Sequence, residues 1–155
     1  MSMWLAARPH IPWLIRPEWS PAYLNTTYSA DYFDAARFIR THSVDTDLVQ
    51  DSARDPLAFT LAITERQAFL AREPDMLKNP ARRSEVTRRR TRLNQICEAR
   101  TMTEVQQLAR ETGIRWFLLH PETCVGWTDE MLRQAAARYG DYRVFRFEHT
   151  SRGQL

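Results

Sequence analysis

A chain of 155 residues with 43% hydrophobic and 11% aromatic side chains can bury a real core, which excludes a disordered or fibrous protein and makes one domain the expectation. The net charge of +3 and pI near 9.2 come almost wholly from arginine, since Lys78 is the only lysine, and so small a surplus does not imply nucleic acid. No stretch approaches the ~20 apolar residues of a membrane span, and no basic start is followed by an apolar run and a small-residue cleavage site, so the chain as it stands is expected to be soluble.

Residues 1–28 form an arm of unusual composition. Trp4, Leu5, Ile11, Trp13, Leu14, Ile15 and Trp19 are interrupted by Pro9, Pro12, Pro17 and Pro21, each of which lacks an amide hydrogen and forbids a continuous helix. Two readings stand: an extended arm packed on the domain, or a stretch lying at a membrane surface, where indole rings prefer the interface. Residues 29–148 make up the α/β domain and residues 149–155 a frayed tail.

From Ser29, the steps Tyr32, Phe33, Ala36 and Ile39 predict an amphipathic helix, with Asp31 and Asp34 early and Arg37 and Arg40 late to complement its dipole. Asp47–Asp51 is a buried strand. Asp55-Pro56 starts a second helix, as cap and first-turn proline, through Leu57, Phe59, Leu61 and Ile63. A short strand covers Gln67–Ala71, and residues 72–81, with Pro74 and Pro80, form a loop. Arg82–Arg100 is expected to be helical in its second half. Thr101 and Glu104 form a capping box ahead of Met102, Val105, Leu108 and Ala109, and Gly113 ends that helix. Ile114–Leu119 is apolar on both faces, as a central parallel strand is. Thr128 caps a helix through Met131, Leu132, Ala135 and Ala136 to Gly140, and Tyr142–Phe147 is the last strand. Strands alternating with helices predict a three-layer, Rossmann-like α/β fold with a mainly parallel sheet of about four strands.

Cys97 and Cys124 fit neither a CxxC pair nor a zinc pattern. They are expected as a structural thiol pair, with a disulfide as the alternative.

Ligands of open parallel sheets bind beyond the carboxyl ends of the strands. The residues there are Asp51, Ser52 and Asp55, then Arg72 with Glu73, then His120, Glu122 and Trp127; these are the candidate ligand-binding residues. Asp51-Ser52-Ala53-Arg54 has no glycine for close phosphate approach, which disfavours NAD, FAD and ATP in their usual modes, and no cofactor is expected. Ser52 without flanking glycines is more readily a loop hydroxyl than a nucleophile, and His120 before Pro121 more readily a structural histidine than a base. His10, His42, His120 and His149 are scattered, so no metal site is expected. Arg82, Arg83, Arg88, Arg89, Arg90 and Arg92 spread around a helix without interleaved aromatics, which favours an anion-facing or solvated surface over nucleic acid. The alternatives to a binding domain are a small hydrolase-like enzyme using Asp51, Ser52 and His120, or a nucleic-acid module using the Arg82–Arg92 run.

The order of these segments resembles the soluble C-terminal domain of polytopic bacterial GT-C-type glycosyltransferases, relatives of the dolichyl-phosphate-mannose–protein mannosyltransferases. The resemblance runs through the helix Ala35–His42, the strand Asp47–Val49, the helix and turn Leu57–Arg66, the strand Gln67–Ala71, the segment Val105–Leu119 and the closing Tyr142–Phe147. It covers about residues 30 to 147, and order and spacing carry it. Glu65-Arg66 stands where Gly-Arg is usual, and Arg72 where glycine is frequent. The resemblance implies an extracytoplasmic, noncatalytic domain on the periplasmic side of the inner membrane. Its partners would be the membrane-embedded part of its own parent chain and a lipid-linked sugar or glycan. The catalytic carboxylate of that family sits in a loop between the first membrane helices, so no residue here inherits that role.

Overall fold

The computed structural model describes residues 28–54, 59–71 and 78–148, and the expected arm 1–28, apart from Tyr28, and the tail 149–155 lie outside them. Among the described residues no helix is long and apolar enough to cross a membrane.

Helix α1 (Ala30–His42) opens where expected: the Ser29 hydroxyl accepts from the Tyr32 amide, Asp31 sits in the first turn, and Arg40 and His42 sit in the last. Its buried stripe of Tyr32, Ala35, Ala36 and Ile39 covers one side of the sheet. The far end of α1 is closed from outside. Arg66 donates to the Ser43 hydroxyl at 2.9 Å and to the carbonyls of Ser43 and Arg40 at 3.0 and 3.4 Å, so a guanidinium fork satisfies carbonyls that the helix cannot.

Strand β1 (Leu48–Asp51) leads through the carboxyl edge to helix α2, described as Phe59–Thr64; the expected start at Asp55-Pro56 lies outside the described residues. Strand β2 is only Gln67–Ala68, shorter than the five residues expected. The reason is local. Phe69 still donates to the Val49 carbonyl at 3.1 Å, but the buried Gln50 side chain takes the Leu70 amide at 2.7 Å, so a side chain takes over from the backbone two residues beyond Ala68.

A 3-10 turn at Pro80–Arg82, capped by Asn79, runs into helix α3 (Arg83–Glu98), which is helical throughout and not only in its second half. Glu85 bridges to Arg88 and Arg89 one turn on, and Val86 is buried, so the arginine-rich first turns have both charge compensation and a packed face. Helix α4 (Met102–Thr112) has the predicted capping box between Thr101 and Glu104, and ends at Gly113 with φ +78°.

Strand β3 (Ile114–Leu119) is the centre of the sheet, whose order, with β4 at Ala137–Tyr139 and β5 at Tyr142–Arg146, is β2-β1-β3-β5-β4. It pairs in parallel with β1 and antiparallel with β5. A bulge opposite Leu48–Val49 shifts the register from Leu48↔Ile114 to Val49↔Trp116. Beyond it, Trp116 and Leu118 pack with α1, while Phe117 and Leu119 join the cluster built on α3 and α4 through Leu93, Ile96, Val105 and Ala109.

The C-terminal third departs from expectation. The helix capped by Thr128 is only α5 (Asp129–Leu132), and the chain then forms β4 (Ala137–Tyr139) and β5 (Tyr142–Arg146), an antiparallel hairpin with Tyr139 opposite Tyr142. Gly140-Asp141 is its two-residue turn, with Gly140 at φ +53°, the backbone of the primed turns that match strand twist. The fold is α/β as expected, but the sheet has five strands and is mixed, with the parallel part confined to β2-β1-β3.

Gly140→Ala places a Cβ in a left-handed residue and against the Asp31 carboxylate of α1. We expect a loss of about 1–2 kcal/mol in urea denaturation, the usual cost of that conformation for a residue with a Cβ; an unchanged midpoint would refute the hairpin assignment.

Candidate functional site at the carboxyl edge

The parallel strands β1 and β3 end side by side, and the segments that leave them, Ser52–Arg54 and His120–Trp127, form one edge. Asp51 is the last residue of β1 and is 3% exposed. The Thr60 hydroxyl of α2 donates to its Oδ2, so the Tyr32 hydroxyl, 2.8 Å from Thr60 Oγ1, must donate in turn. A chain of hydroxyls therefore runs from α1 through α2 to a buried carboxylate.

His120 follows β3 and lies against the same group. Its Nε2 is 3.6 Å from Asp51 Oδ2, beyond hydrogen-bond distance, and is buried without a hydrogen-bond partner among the described residues. Its ring lies between those of Tyr32 and Tyr142, with centroids 5.4 and 5.2 Å away.

Ser52 has a different task. Its Oγ accepts from the His120 backbone amide at 2.8 Å and is 2.5 Å from Thr123 Oγ1, whose own proton goes to the His120 carbonyl. The one Ser52 proton is thus committed to Thr123 and is not available to the His120 ring. Asp51, Ser52 and His120 do converge as the sequence suggested, but the serine ties two loops together instead of presenting a nucleophile.

The other candidates disperse. Trp127 is buried, donates to the Ile96 carbonyl at 3.0 Å and packs between Phe117 and Phe145, which makes it a core residue. Glu122 is exposed, with φ +62°. Asp55 and Arg72 lie outside the described residues. No group of three metal-ligating side chains occurs among the described residues.

Four residues that sequence reasoning did not assign to the site also belong here. Arg54 Nη2 donates to Asn94 Oδ1 of α3 at 2.7 Å, and Cys97, near the end of α3, is disulfide-bonded to Cys124. The disulfide corrects the expected thiol pair. Together with Ser52, Leu93, Phe117 and Thr123 these groups line a cleft of about 230 Å³. Arg54, Glu122 and Cys124 all have positive φ without being glycine, at a cost of roughly 1–2 kcal/mol each, a form of backbone strain that tends to gather at functional sites. Cysteine pairing is invisible to spacing alone, and Asn94 looks like any polar helix position, so neither gave a signal.

The arginines of α3 face another side. Arg88 and Arg89 both donate to Glu85, Arg89 also to the Phe69 carbonyl while lying 5.3 Å over the Phe69 ring, and Arg92 pairs with Glu111 at 3.5 Å. Arg82 and Arg83 are exposed, and Arg90 is half-buried. Three of the six are therefore committed to carboxylates.

No family model matches the chain, and no curated protein does. Among solved structures, the chain is similar to the C-terminal globular domain of an oligosaccharyltransferase from Archaeoglobus fulgidus. The two share 9% identity over 79% of this chain and 99% of that one, with a TM-score of 0.49. A likeness at that level assigns neither a family nor a ligand.

Two outcomes test these contacts. Ser52→Ala leaves the buried-side His120 amide without its acceptor and should cost about 1–3 kcal/mol in urea denaturation; a change within a few tenths would mean that the tie is dispensable. Glu85 is held below the ordinary carboxylate range by hydrogen bonds from Arg89 first and Arg88 next. A carboxyl whose folded value is depressed contributes stability above its unfolded range and loses it as the pH falls through the folded value. Acid should therefore destabilise the parent protein more than Glu85→Gln, as read by thermal melts from neutral pH downward; parallel pH profiles would contradict it.

Proposed function

We propose that this chain is a noncatalytic, extracytoplasmic domain of a membrane glycosyltransferase-like protein of the GT-C type, which helps to position a lipid-linked sugar or its acceptor. The observation that carries this reading is the Cys97–Cys124 disulfide. Such bonds persist in oxidising compartments and are rare in the reducing cytoplasm, which favours the periplasmic side over the cytoplasmic one. The ordered resemblance of residues 30–147 to the tail domains of these transferases supports it as well. On this reading, the parallel end β2-β1-β3 and its flanking helices are the Rossmann-like part.

The hydrolase alternative loses its nucleophile, because the Ser52 proton is committed to Thr123. The nucleic-acid alternative loses Arg88, Arg89 and Arg92 to Glu85 and Glu111.

In intact cells producing the native protein, Cys97 and Cys124 should resist a membrane-impermeant maleimide until an impermeant reductant is added, and then label without lysis. Free thiols reached only after lysis would place the domain in the cytoplasm and overturn the reading. Deletion of residues 29–148 from the native protein should reduce sugar transfer in isolated membranes at least tenfold, whereas unchanged transfer would remove the positioning role.

A further inference from the structure

We propose that the cleft beyond the ends of β1 and β3 is a binding site for a small, neutral, hydroxyl-rich ligand the size of one sugar ring. The inference deepens the positioning role and rests on it for the ligand's source, either the sugar of a lipid-linked donor or a residue of an acceptor glycan.

Size is the first constraint. At about 230 Å³ the cleft falls below the roughly 300–1,000 Å³ typical of pockets for drug-sized ligands, which leaves room for a single ring. Its charge is the second. The Arg54 guanidinium on its rim is held by Asn94, and the Asp51 carboxylate is turned to Thr60 of α2, so neither a cluster of guanidiniums to grip a phosphate nor a pair of carboxylates to hold a cation faces the cleft.

Hydrogen-bonding capacity narrows the chemistry further. Sugar hydroxyls both donate and accept, and the cleft offers both kinds of group. Asn94 accepts from Arg54 through its Oδ1, which makes the amide's other end its N–H donor side, while the Ser52 and Thr123 hydroxyl oxygens each keep a lone pair to accept with. Beside them, Leu93, Phe117 and the disulfide provide an apolar wall for the C–H face of a ring.

The backbone around the cleft is shaped in a way that folding alone does not ask for. Arg54 and Cys124 both line it and both hold left-handed conformations, at φ +64° and +48°. The wall that carries Thr123 is joined to α3 by the covalent Cys97–Cys124 bond and to the end of β1 by the hydrogen bond from Ser52, so the cleft depends on the disulfide for its form.

The test uses the full chain, oxidised and isotope-labelled, titrated by NMR. The probes are methyl glycosides of glucose, mannose and N-acetylglucosamine, glucose 1-phosphate, inorganic phosphate and free glycine. Saturable shifts of the Arg54, Asn94 and Thr123 amides with at least one sugar probe are expected. Equal affinity for a methyl glycoside and glucose 1-phosphate points to a lipid-linked donor whose phosphate stays outside the cleft, and weaker binding of glucose 1-phosphate points to an acceptor glycan; both support the site, whereas a preference for glucose 1-phosphate overturns the neutral ligand. Asn94→Ala should weaken binding at least tenfold while the helix holds, since alanine is the better helix former. Reduction by a dithiol, which is oxidised as Cys97 and Cys124 become thiols, should weaken it likewise. Saturation by phosphate or glycine alone, sugar shifts elsewhere on the domain, undiminished affinity in Asn94→Ala, or no saturable sugar response would each overturn the proposal. Failure here with a disulfide found in cells leaves the extracytoplasmic reading intact, and sugar binding by a protein with free thiols in cells leaves only the cleft.

Discussion

Trp116, Phe117, Leu118 and Leu119 point alternately to the two sides of one strand, and none of the four is more than 5% exposed. Each side chain contributes roughly 1.5–3 kcal/mol only if something covers it, so a strand of this kind demands helices on both sides and strands on both edges. The chain meets the demand with α1 on one side and α3 with α4 on the other, and with β1 and β5 as neighbours. The carboxyl edge follows from the same arrangement. β1 and β3 run in parallel, so Asp51, level with Leu118, and His120, two residues further on, emerge at the same edge, and the loops that leave them have to be joined there.

How they are joined explains why a serine, a histidine and an aspartate meet without forming a hydrolytic centre. Ser52 uses its lone pair on the His120 amide and its proton on Thr123, and Asp51 accepts from Thr60. These are polar groups taken out of water and satisfied by one another, which rigid loop closure at a sheet edge requires. The disulfide adds a covalent tie from the same loop to α3, and the space left between the ties is the cleft.

Where periodicity and caps speak, the sequence and the structure agree. The helix from Ser29, the capping box at Thr101, the Gly113 stop and the doubly buried strand 114–119 each rest on a local rule that tertiary context does not override. The C-terminal third shows the limit. Gly140 after an alanine-rich run serves as well for a helix stop as for the first residue of a hairpin turn, and Tyr139-Gly140-Asp141-Tyr142 carried the second meaning. Residues 135–139 are decided by β5, whose edge needs a partner, and not by their own helix propensity. The short β2 is similar: Gln50, an ordinary residue inside a strand, supplies the acceptor that the ladder lacks at Leu70. At the site, the positions of Asp51, Ser52 and His120 could be inferred from the strands, but proton ownership and the Arg54–Asn94 pairing across 40 residues could not. Those depend on distances that no spacing encodes.

The hairpin has one more consequence, which concerns other molecules of the same kind. A sheet border with a long row of unpaired amides invites a second chain to add a strand. Here the outermost strands are the two residues of β2 and the three of β4, and β4 carries the exposed Arg138 at its middle. Borders so short, one of them charged, offer a poor template for cross-chain pairing. Among the described residues, the late turn at Gly140 thus leaves little open edge for cross-chain pairing as well as completing the core.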